Sequence, residues 1–597
     1  MGTISDKLMR VINTKEDIRQ ALISKGYNVP TSMPFKEYAK MILDLPCKVD
    51  SFPDIEGIVA RYSASGLTNE QMAANPVWKN LTGNGHDLQM KNFSWGGMSG
   101  VGGYVDNWNS SADWSINNYW VNSHTDHKLQ LITASTVVQM KSNNIYNAEN
   151  VYKNILNVNG LTEAVNKGSV GGLRISATDP ITSKAIKTFS FDTDGVIQIS
   201  FDDVLQDYCV AYLLYGNNTK DIDITIEQLP LYPGFILGDG VDDFAVTEKE
   251  LNFEDTYTVY TAFIPFQDNP TRNMMMAGKD IKDFYMNYSS LNVLSYYSGN
   301  KSVVINLSNG FNLLCCKRDA DNMTIKNLIT GDSVTATANE FINNPGLYYL
   351  WRVANGYSYA RLAIAGQTIC NGYFSTDEDD EKVLDWYKKQ YPWLFFDQAW
   401  TVVGKTNEDE NRATVVNITG NGNDLVLSNF GFAEGSGYNE EGEYAGYLVT
   451  DGVDDKIVSA ESIAFTDTWT IITDAIFLGE KNVSAGILVK DIFDVRNLME
   501  YGRVEVSVKG GVLLKVPTPS IKAICSDGRI YDADWNEYQA EPGTIKVSEG
   551  TLIIGMWYNG MQFCSIAFKN IATYNGYALS KDDCIKAYNY LQTLKSK

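Results

Sequence analysis

The run Asp-Gly-Val-Asp-Asp occurs twice in this 597-residue chain, at Asp239–Asp243 and at Asp451–Asp455. Asp239, Asp242 and Asp243, and equally Asp451, Asp454 and Asp455, place three carboxylates within five residues, the oxygen-rich surrounding that calcium takes. Aspartate at a turn also accepts hydrogen bonds from its own following backbone, which is the simpler use of the same residues. Sugar recognition needs aromatic faces beside amides and carboxylates. Trp95, Trp108, Trp114 and Trp120, interleaved with Asn107, Asn109, Asp113, Asn117 and Asn118, form the densest such cluster and are the glycan-binding candidates. Aromatic packing at a domain junction is the plainer account of them. His124 and His127 have the i, i+3 spacing of helical metal ligands, but no third ligand is evident and their flanks read as loop and strand, so they are expected as surface polar residues. The chain has neither a Walker-type loop nor a Gly-x-Ser-x-Gly elbow in a strand-to-helix context, which removes support for nucleotide or ester chemistry.

The charge balance narrows the partners. With 49 Lys+Arg against 72 Asp+Glu the net charge is −23, opposite to the basic surface that neutralises phosphates, so nucleic acid is not expected as a partner. No stretch approaches 18 uncharged apolar residues and the amino terminus lacks an apolar signal core, so neither a membrane span nor a secretory leader is expected. The eight cysteines show no paired spacing and lie in or beside apolar runs, as buried thiols of a reducing cytosol do.

Self-similarity organises the chain. Asn80-Leu-Thr-Gly-Asn-Gly-His-Asp87 matches Asn417-Ile-Thr-Gly-Asn-Gly-Asn-Asp424 at an offset of 337, Gly234–Asp243 matches Gly446–Asp455 at 212, and Asn371-Gly-Tyr373 matches Asn575-Gly-Tyr577 at 204. The fall from 337 to 212 means that the first copy holds about 125 extra residues, an inserted domain. Tyr257–Ile264 and its counterpart Trp469–Ile476 are β-branched and aromatic runs of strand length, and Asp-Gly supplies the positive φ of tight turns between strands. Each copy therefore reads as a β-sandwich closed by one helix, with Thr376 and Ser580 as N-caps, Asp379 and Asp583 at N3, and the first helix stopping before Pro392. Tyr257 and Trp469 are assigned to the core. The guest also reads as strands, a small sandwich. The expected organisation is a helical segment over 1–50, a first sandwich over 51–105 plus 232–396, the insert over 106–231, and a second sandwich over 397–597.

Residues 1–50 differ in kind: Thr14 with Asp17 as a capping box, Gly26 at C′, a second helix over Pro34–Leu45, and a net charge of +2. So short a helical piece buries little core alone, which points to oligomerisation or docking on another protein.

The run Thr14-Lys-Glu-Asp-Ile-Arg-Gln-Ala-Leu-Ile-Ser-Lys-Gly26, followed by Pro34-Phe-Lys-Glu-Tyr-Ala-Lys-Met-Ile42, resembles the amino-terminal segment of tail and fibre proteins of tailed bacteriophages. The repeats, with Lys405-Thr-Asn-Glu-Asp-Glu-Asn-Arg412, Asn417–Asp424 and Asp451–Asp455, resemble the concanavalin A-like (laminin-G-type) lectin/glucanase domains of virion proteins in crAss-like phages. The first copy departs from that pattern: Gly66-Leu-Thr-Asn-Glu70 keeps part of the Lys-Thr-Asn-Glu run, and His86 replaces Asn423. The resemblance implies a mainly β fold, tandem jelly-roll sandwiches with an inserted small sandwich and a helical amino-terminal anchor. It also implies a virion fibre or decoration protein, oligomeric and often trimeric, assembled in the host bacterial cytoplasm with other virion proteins as partners and a host surface glycan as ligand. Folds of this kind include glycoside hydrolases, whose paired acids stand as Glu-x-Asp-x-x-Glu on one strand. No intact copy is present. Asp532-Ala-Asp-Trp-Asn-Glu537 is nearest and begins with the wrong acid in a turn-rich stretch, so binding rather than turnover is expected, with no cofactor other than calcium. A glycan depolymerase and a purely architectural virion protein are the alternatives.

Overall fold

The computed structural model describes residues 52–597 apart from 107, 109–113, 117–120, 125–126, 134–136, 147–151, 202–203, 205, 217–220, 267–273, 279–283, 291–292, 299, 309, 342–345, 353–358, 421, 434, 440–443, 479–481, 499–502, 545–548, 557–561, 595 and 597. The amino-terminal anchor expected over residues 1–50 lies outside the described residues. The rest of the chain is mainly β and antiparallel, with its sheets packed as sandwiches.

Strand runs rich in β-branched and aromatic residues pair into two eight-stranded sheets in each copy. One, here the back sheet, runs in the first copy through Ser333–Thr337, Asn322–Asn327, Asn312–Arg318, Tyr257–Pro265, Arg361–Asn371, Ile236–Asp239 and Gly100–Val101, with Ile58–Ser63 also paired to Arg361–Asn371. In the second copy Glu537–Gln539, Arg529–Asp532, Ile521–Cys525, Trp469–Phe477, Ile566–Asn575, Tyr447–Val449 and Gly437–Asn439 stand in the same order, with Gln398–Thr401 as the side strand. The two ladders even share a register shift, between Ala262 and Phe263 in one and Asp474 and Ala475 in the other. The front sheets also correspond strand for strand. Their strands alternate buried and open residues, as Val77–Trp78 and Leu88–Lys91 do in the first copy and Leu425–Ser428 and Lys456–Ser459 in the second, so one face meets the core and the other meets solvent.

The insert leaves and re-enters between Gly100–Val101 and Ile236–Asp239, strands whose counterparts in the second copy are joined by residues 440–446 alone. It forms two five-stranded sheets around its own core, which includes Leu156, Ile175, Phe201 and Tyr208. Two backbone bonds, Leu231 N to Gly103 O and Tyr232 N to Gly102 O, both 2.8 Å, tie its two connecting chains together. Gln228 closes the neck by bonding the Asp106 main chain in both directions.

Four α-helices stand among the described residues: α1 (Asn69–Ala74), α2 (Leu161–Asn166), α3 (Asp377–Gln390) and α4 (Lys581–Thr593). The two closing helices start at their predicted caps, and the first also stops where expected. Thr376 and Asp379 form a capping box, Ser580 accepts from Asp583 N, and α3 ends two residues before Pro392. Tyr257–Pro265 and Asn312–Arg318 are buried along their whole length. Tyr257, Val259 and Phe263 face the sandwich core, so with period-two geometry Thr258 and Tyr260 face the other way. There α3 covers them: Tyr260 and Ser375 donate to Asp380, and Lys317 and Lys326 lie 3.4 and 3.3 Å from it. α4 performs the same cover and also touches the first sandwich, where Tyr590 accepts a hydrogen bond from Phe311 N at 2.8 Å and stacks on Phe396. Asp380→Ala would strand the buried Lys317 ammonium, and it is expected to destabilise the first sandwich by about 3–5 kcal/mol in denaturant titration. A loss under about 1 kcal/mol would show that α3 is held by its apolar face alone.

Candidate functional site

The most repeated motif is structural. Asn80 accepts from Arg61 N, Thr82 N and Thr82 Oγ1 and donates to Val59 O, while its own amide reaches Asp87. Asn417, Thr419 and Asp424 reproduce this loop in the second copy. The replacement of Asn423 by His86 is tolerated because both occupy the left-handed region, at φ 62° and 60°. The shared Thr-Asn-Glu run is explained as well. Asn69 and Asn407 each cap a strand amide, Val101 N at 2.7 Å and Tyr438 N at 2.8 Å.

The two Asp-Gly-Val-Asp-Asp turns are superposable in their bonding. Asp239 Oδ1 accepts from Val241 N at 2.7 Å and Asp242 N at 3.3 Å, and Asp239 N donates to Asp243 Oδ2 at 2.9 Å; Asp451, Val453, Asp454 and Asp455 repeat all three distances. Gly240 and Gly452 take the positive φ expected of them, 77° and 73°. In each turn one oxygen from every carboxylate lies within 4.8 Å of the others. Asp243 and Asp455 are fully buried, and Oδ1 of each lacks a well-formed hydrogen bond. Burial pushes the Asp243 carboxyl up to about 7, the charges of Asp239 and Asp242 add to it, and the Ser99 hydroxyl and Asp239 amide offset it only in part. Burial likewise raises Asp455. Turn formation therefore uses the first carboxylate and one oxygen of the inward one, whereas the other oxygen, Oδ1 of Asp243 or Asp455, is left for a proton or for a hard cation.

The tryptophan cluster does not present the expected faces. Trp108 and Trp114 are 1% and 2% exposed and pack edge-on against Tyr212 inside the insert. Their burial reflects the narrowness of a five-stranded sandwich, which needs large rings to fill it. Trp95 is half-buried, stacked on Phe93 at 5.0 Å and packed on the first sandwich core. Trp120 lies outside the described residues. His127 is buried rather than on the surface: it stacks on Tyr104 at 4.4 Å and faces Glu70 of α1 and Glu227 of the insert at 3.9 and 3.8 Å. Among the described residues the acids at 532 and 537 are engaged locally. Asp532 accepts from the backbone of Asp534 and Asn536 and from Tyr538, and Glu537 accepts from Tyr531.

Two hollows bear on binding. The first, about 290 Å³, lies where the insert meets the first sandwich and brings Asp239 and Trp114, distant in sequence, to one place with Ser99, Asp106, Asn144 and Tyr146. The second, also about 290 Å³, lies on the second sandwich around Leu488, Asp494, Arg496, Ser507 and Leu513. Here Arg496 Nε donates to Asp494 Oδ2 at 2.5 Å while Asp494 Oδ1 is buried without a partner. Burial pushes Asp494 up to about 6 against the pull of Arg496, and Glu505 on the adjoining strand adds to the rise. On the corresponding strands of the first sandwich Tyr285 and Tyr297 pair across the ladder and stack at 4.2 Å.

No protein-family model matches the chain, and no curated protein matches it. Among solved structures it is similar to the receptor-binding domain of botulinum neurotoxin mosaic serotype C/D, at 9% identity and a TM-score of 0.26 over 58% of this chain and 90% of that one. It is also similar to the binding domain of botulinum neurotoxin DC, at 10% identity and a TM-score of 0.24 over 56% of this chain and 89% of that one. At these values the likeness does not extend to ligand, partner or role.

The second hollow escaped sequence reasoning, although a signal was there. Phe493-Asp-Val-Arg496 and Val504-Glu-Val-Ser507 alternate strictly, so the polar half of both strands shares one face.

The inward carboxyls give a pH prediction. An acid whose folded value is raised contributes stability that is complete below its unfolded value, about 4, and is lost as pH climbs through its folded value. For Asp243, at about 7, wild type should lose melting temperature relative to Asp243→Asn between pH 4 and pH 8. If the three acids hold calcium, millimolar calcium at pH 8 restores wild type and leaves Asp243→Asn unmoved; equal response of both proteins removes the cation from this turn.

Proposed function

We propose that the protein is a non-catalytic virion component of a tailed bacteriophage, a head or tail fibre or decoration protein assembled in the host cytoplasm, whose sandwiches display a binding surface for host glycans. Residues 1–50 would join it to other virion proteins or to two further copies of itself. The amino-terminal and repeat resemblances support the virion role. The ligand class rests on one observation, the junction hollow, where an aromatic ring (Tyr146), an amide (Asn144) and a carboxylate (Asp239) converge in about 290 Å³ between two packed bodies. Such a mixture suits a sugar, whose ring face is apolar and whose hydroxyls both donate and accept. Tyr146→Ala and Asn144→Ala are expected to weaken binding of purified host surface polysaccharide by about tenfold each, roughly the value of one aromatic contact or one satisfied hydrogen bond. Unchanged binding by both variants would move the ligand elsewhere, and no binding by wild type would leave an architectural protein.

One observation favours a second reading, a glycan depolymerase. Asp494, raised to about 6, has Glu505 near it on the next strand, and glycosidases work with two neighbouring carboxyl groups. Reducing-end release from host capsule, abolished by Asp494→Asn, would establish it. Absence of release leaves the binding reading in place.

A further inference from the structure

The back sheets of the two sandwiches hold their closing helices by the same frame but with different chemistry at its centre. In the first copy Thr258 Oγ1 donates to Tyr373 O and accepts from Ser375 N. In the second, Thr470 Oγ1 donates to Tyr577 O and accepts from Leu579 N. Opposite Thr258 on the ladder stands Lys317, which bonds Ser375 O at 2.9 Å and Asp380, the fourth residue after the Thr376 cap. Opposite Thr470 stands Cys525, and the fourth residue after the Ser580 cap is Cys584. A buried ion pair in one copy is thus a buried pair of thiols in the other. The two sulfurs lie 3.8 and 3.9 Å from a single acceptor, Leu579 O, and each shifts the other's protonation. Among the seven cysteines of the described residues these two alone meet in this way: Cys315 contacts Asp380 and Cys316 contacts Met286.

We propose that Cys525 and Cys584 are a disulfide site that covalently fastens α4 to the back sheet of the second sandwich when the protein passes from a reducing to an oxidising medium. Sulfurs gathered on one acceptor need only a short approach to reach bonding distance, about 2 Å. Its neighbour Cys584 holds the Cys525 thiol below the usual range and is itself raised, which makes Cys525 the attacking sulfur. With oxidised glutathione as oxidant, the Cys525 thiolate attacks one of its sulfurs and expels one glutathione thiolate, which takes up the proton that Cys525 released. Cys584 then gives up its proton and attacks Cys525 Sγ, expelling the second glutathione as a thiol. Two protein S–H bonds are lost, one protein S–S bond forms, and one glutathione disulfide becomes two thiols. Both sulfurs are buried, so exchange waits on the first turn of α4 lifting from the sheet, and its rate tracks that opening. The same helix carries Tyr590 against the first sandwich, so the bond also restrains the contact between the two sandwiches. The inference is independent of the glycan reading.

The test uses the full chain incubated in glutathione buffers of increasing oxidation, unfolded in alkylating reagent and digested. The expected result is one linked peptide pair joining Cys525 to Cys584, about 2 Da lighter than the sum of its thiol forms, which dithiothreitol reverses. The other cysteines should alkylate fully. The oxidised protein should melt several degrees higher than the reduced one, a shift absent from Cys584→Ser. Full alkylation of both cysteines under the most oxidising buffer, a persistent glutathione adduct on either, or linkage of another pair would overturn the proposal. Because the mass readout needs only wild type, it stands even if the serine variant does not fold.

Discussion

The central strands of each back sheet are buried on both faces, and strands so placed have to be covered twice. One cover is the facing front sheet. The other is a single amphipathic helix, added after the last strand, which must meet a surface studded with Thr258, Tyr260 and Lys317 in the first copy and Thr470 and Cys525 in the second. The polar atoms of that surface cannot be left dry without cost. They set the helix register through the segment before the cap: Ser375 N and Leu579 N both return to the ladder threonine. The acid-rich first turns then serve two ends at once, favouring the helix dipole and, at Asp380, neutralising cations that the sheet pushes under the helix.

The second sandwich places its buried charge elsewhere. Asp474, fully buried, is held down to about 2 by Lys522 and Lys569, with Gln592 of α4 completing its shell. This ion pair is displaced toward the far end of the helix, and the cap end is left to the cysteines. Equivalent backbones thus tolerate exchange of an ion pair for thiols so long as another charged contact holds the helix. A buried ion pair is weakly stabilising in net terms, which is why such an exchange is open to two copies of one fold.

Legibility in the sequence depends on the range of the interaction. The Asp-Gly turns, the caps at Thr376 and Ser580 and the stop before Pro392 are fixed by neighbours within five residues, and the sequence pattern matches the structure at each. The front-sheet pocket at Asp494 is half-legible, since alternation marks which residues point outward but not that a hollow forms among them. Trp108 and Trp114 depart from expectation because density of aromatic and amide residues along the chain says nothing of which side of a strand each faces. His127 is buried against expectation for a related reason: its cover comes from Tyr104 and from α1, whose Glu70 is 57 residues away. Cys525 and Cys584 stand 59 positions apart, beyond any local spacing rule.

The insert shows how a new cavity arises without disturbing the frame that hosts it. The hairpin joining Gly437–Asn439 to Tyr447–Val449 lies at the edge of the back sheet, so its counterpart in the first copy could be opened without breaking a central ladder. The closure is local, through Gly102, Gly103, Leu231 and Tyr232, with Gln228 and Asp106 sealing the neck. A body mounted on so short a neck must rest against its host, and it does so through His127 and α1. Between two convex sandwiches held that close, the space beside the neck cannot be filled by either core. The Asp239 turn, already present for structural reasons in both copies, becomes a wall of that space only in the copy that carries the insert. The first aspartate of the turn is therefore open to solvent as Asp451 in one sandwich and lines a cavity as Asp239 in the other, a difference made by topology and not by any change in the turn.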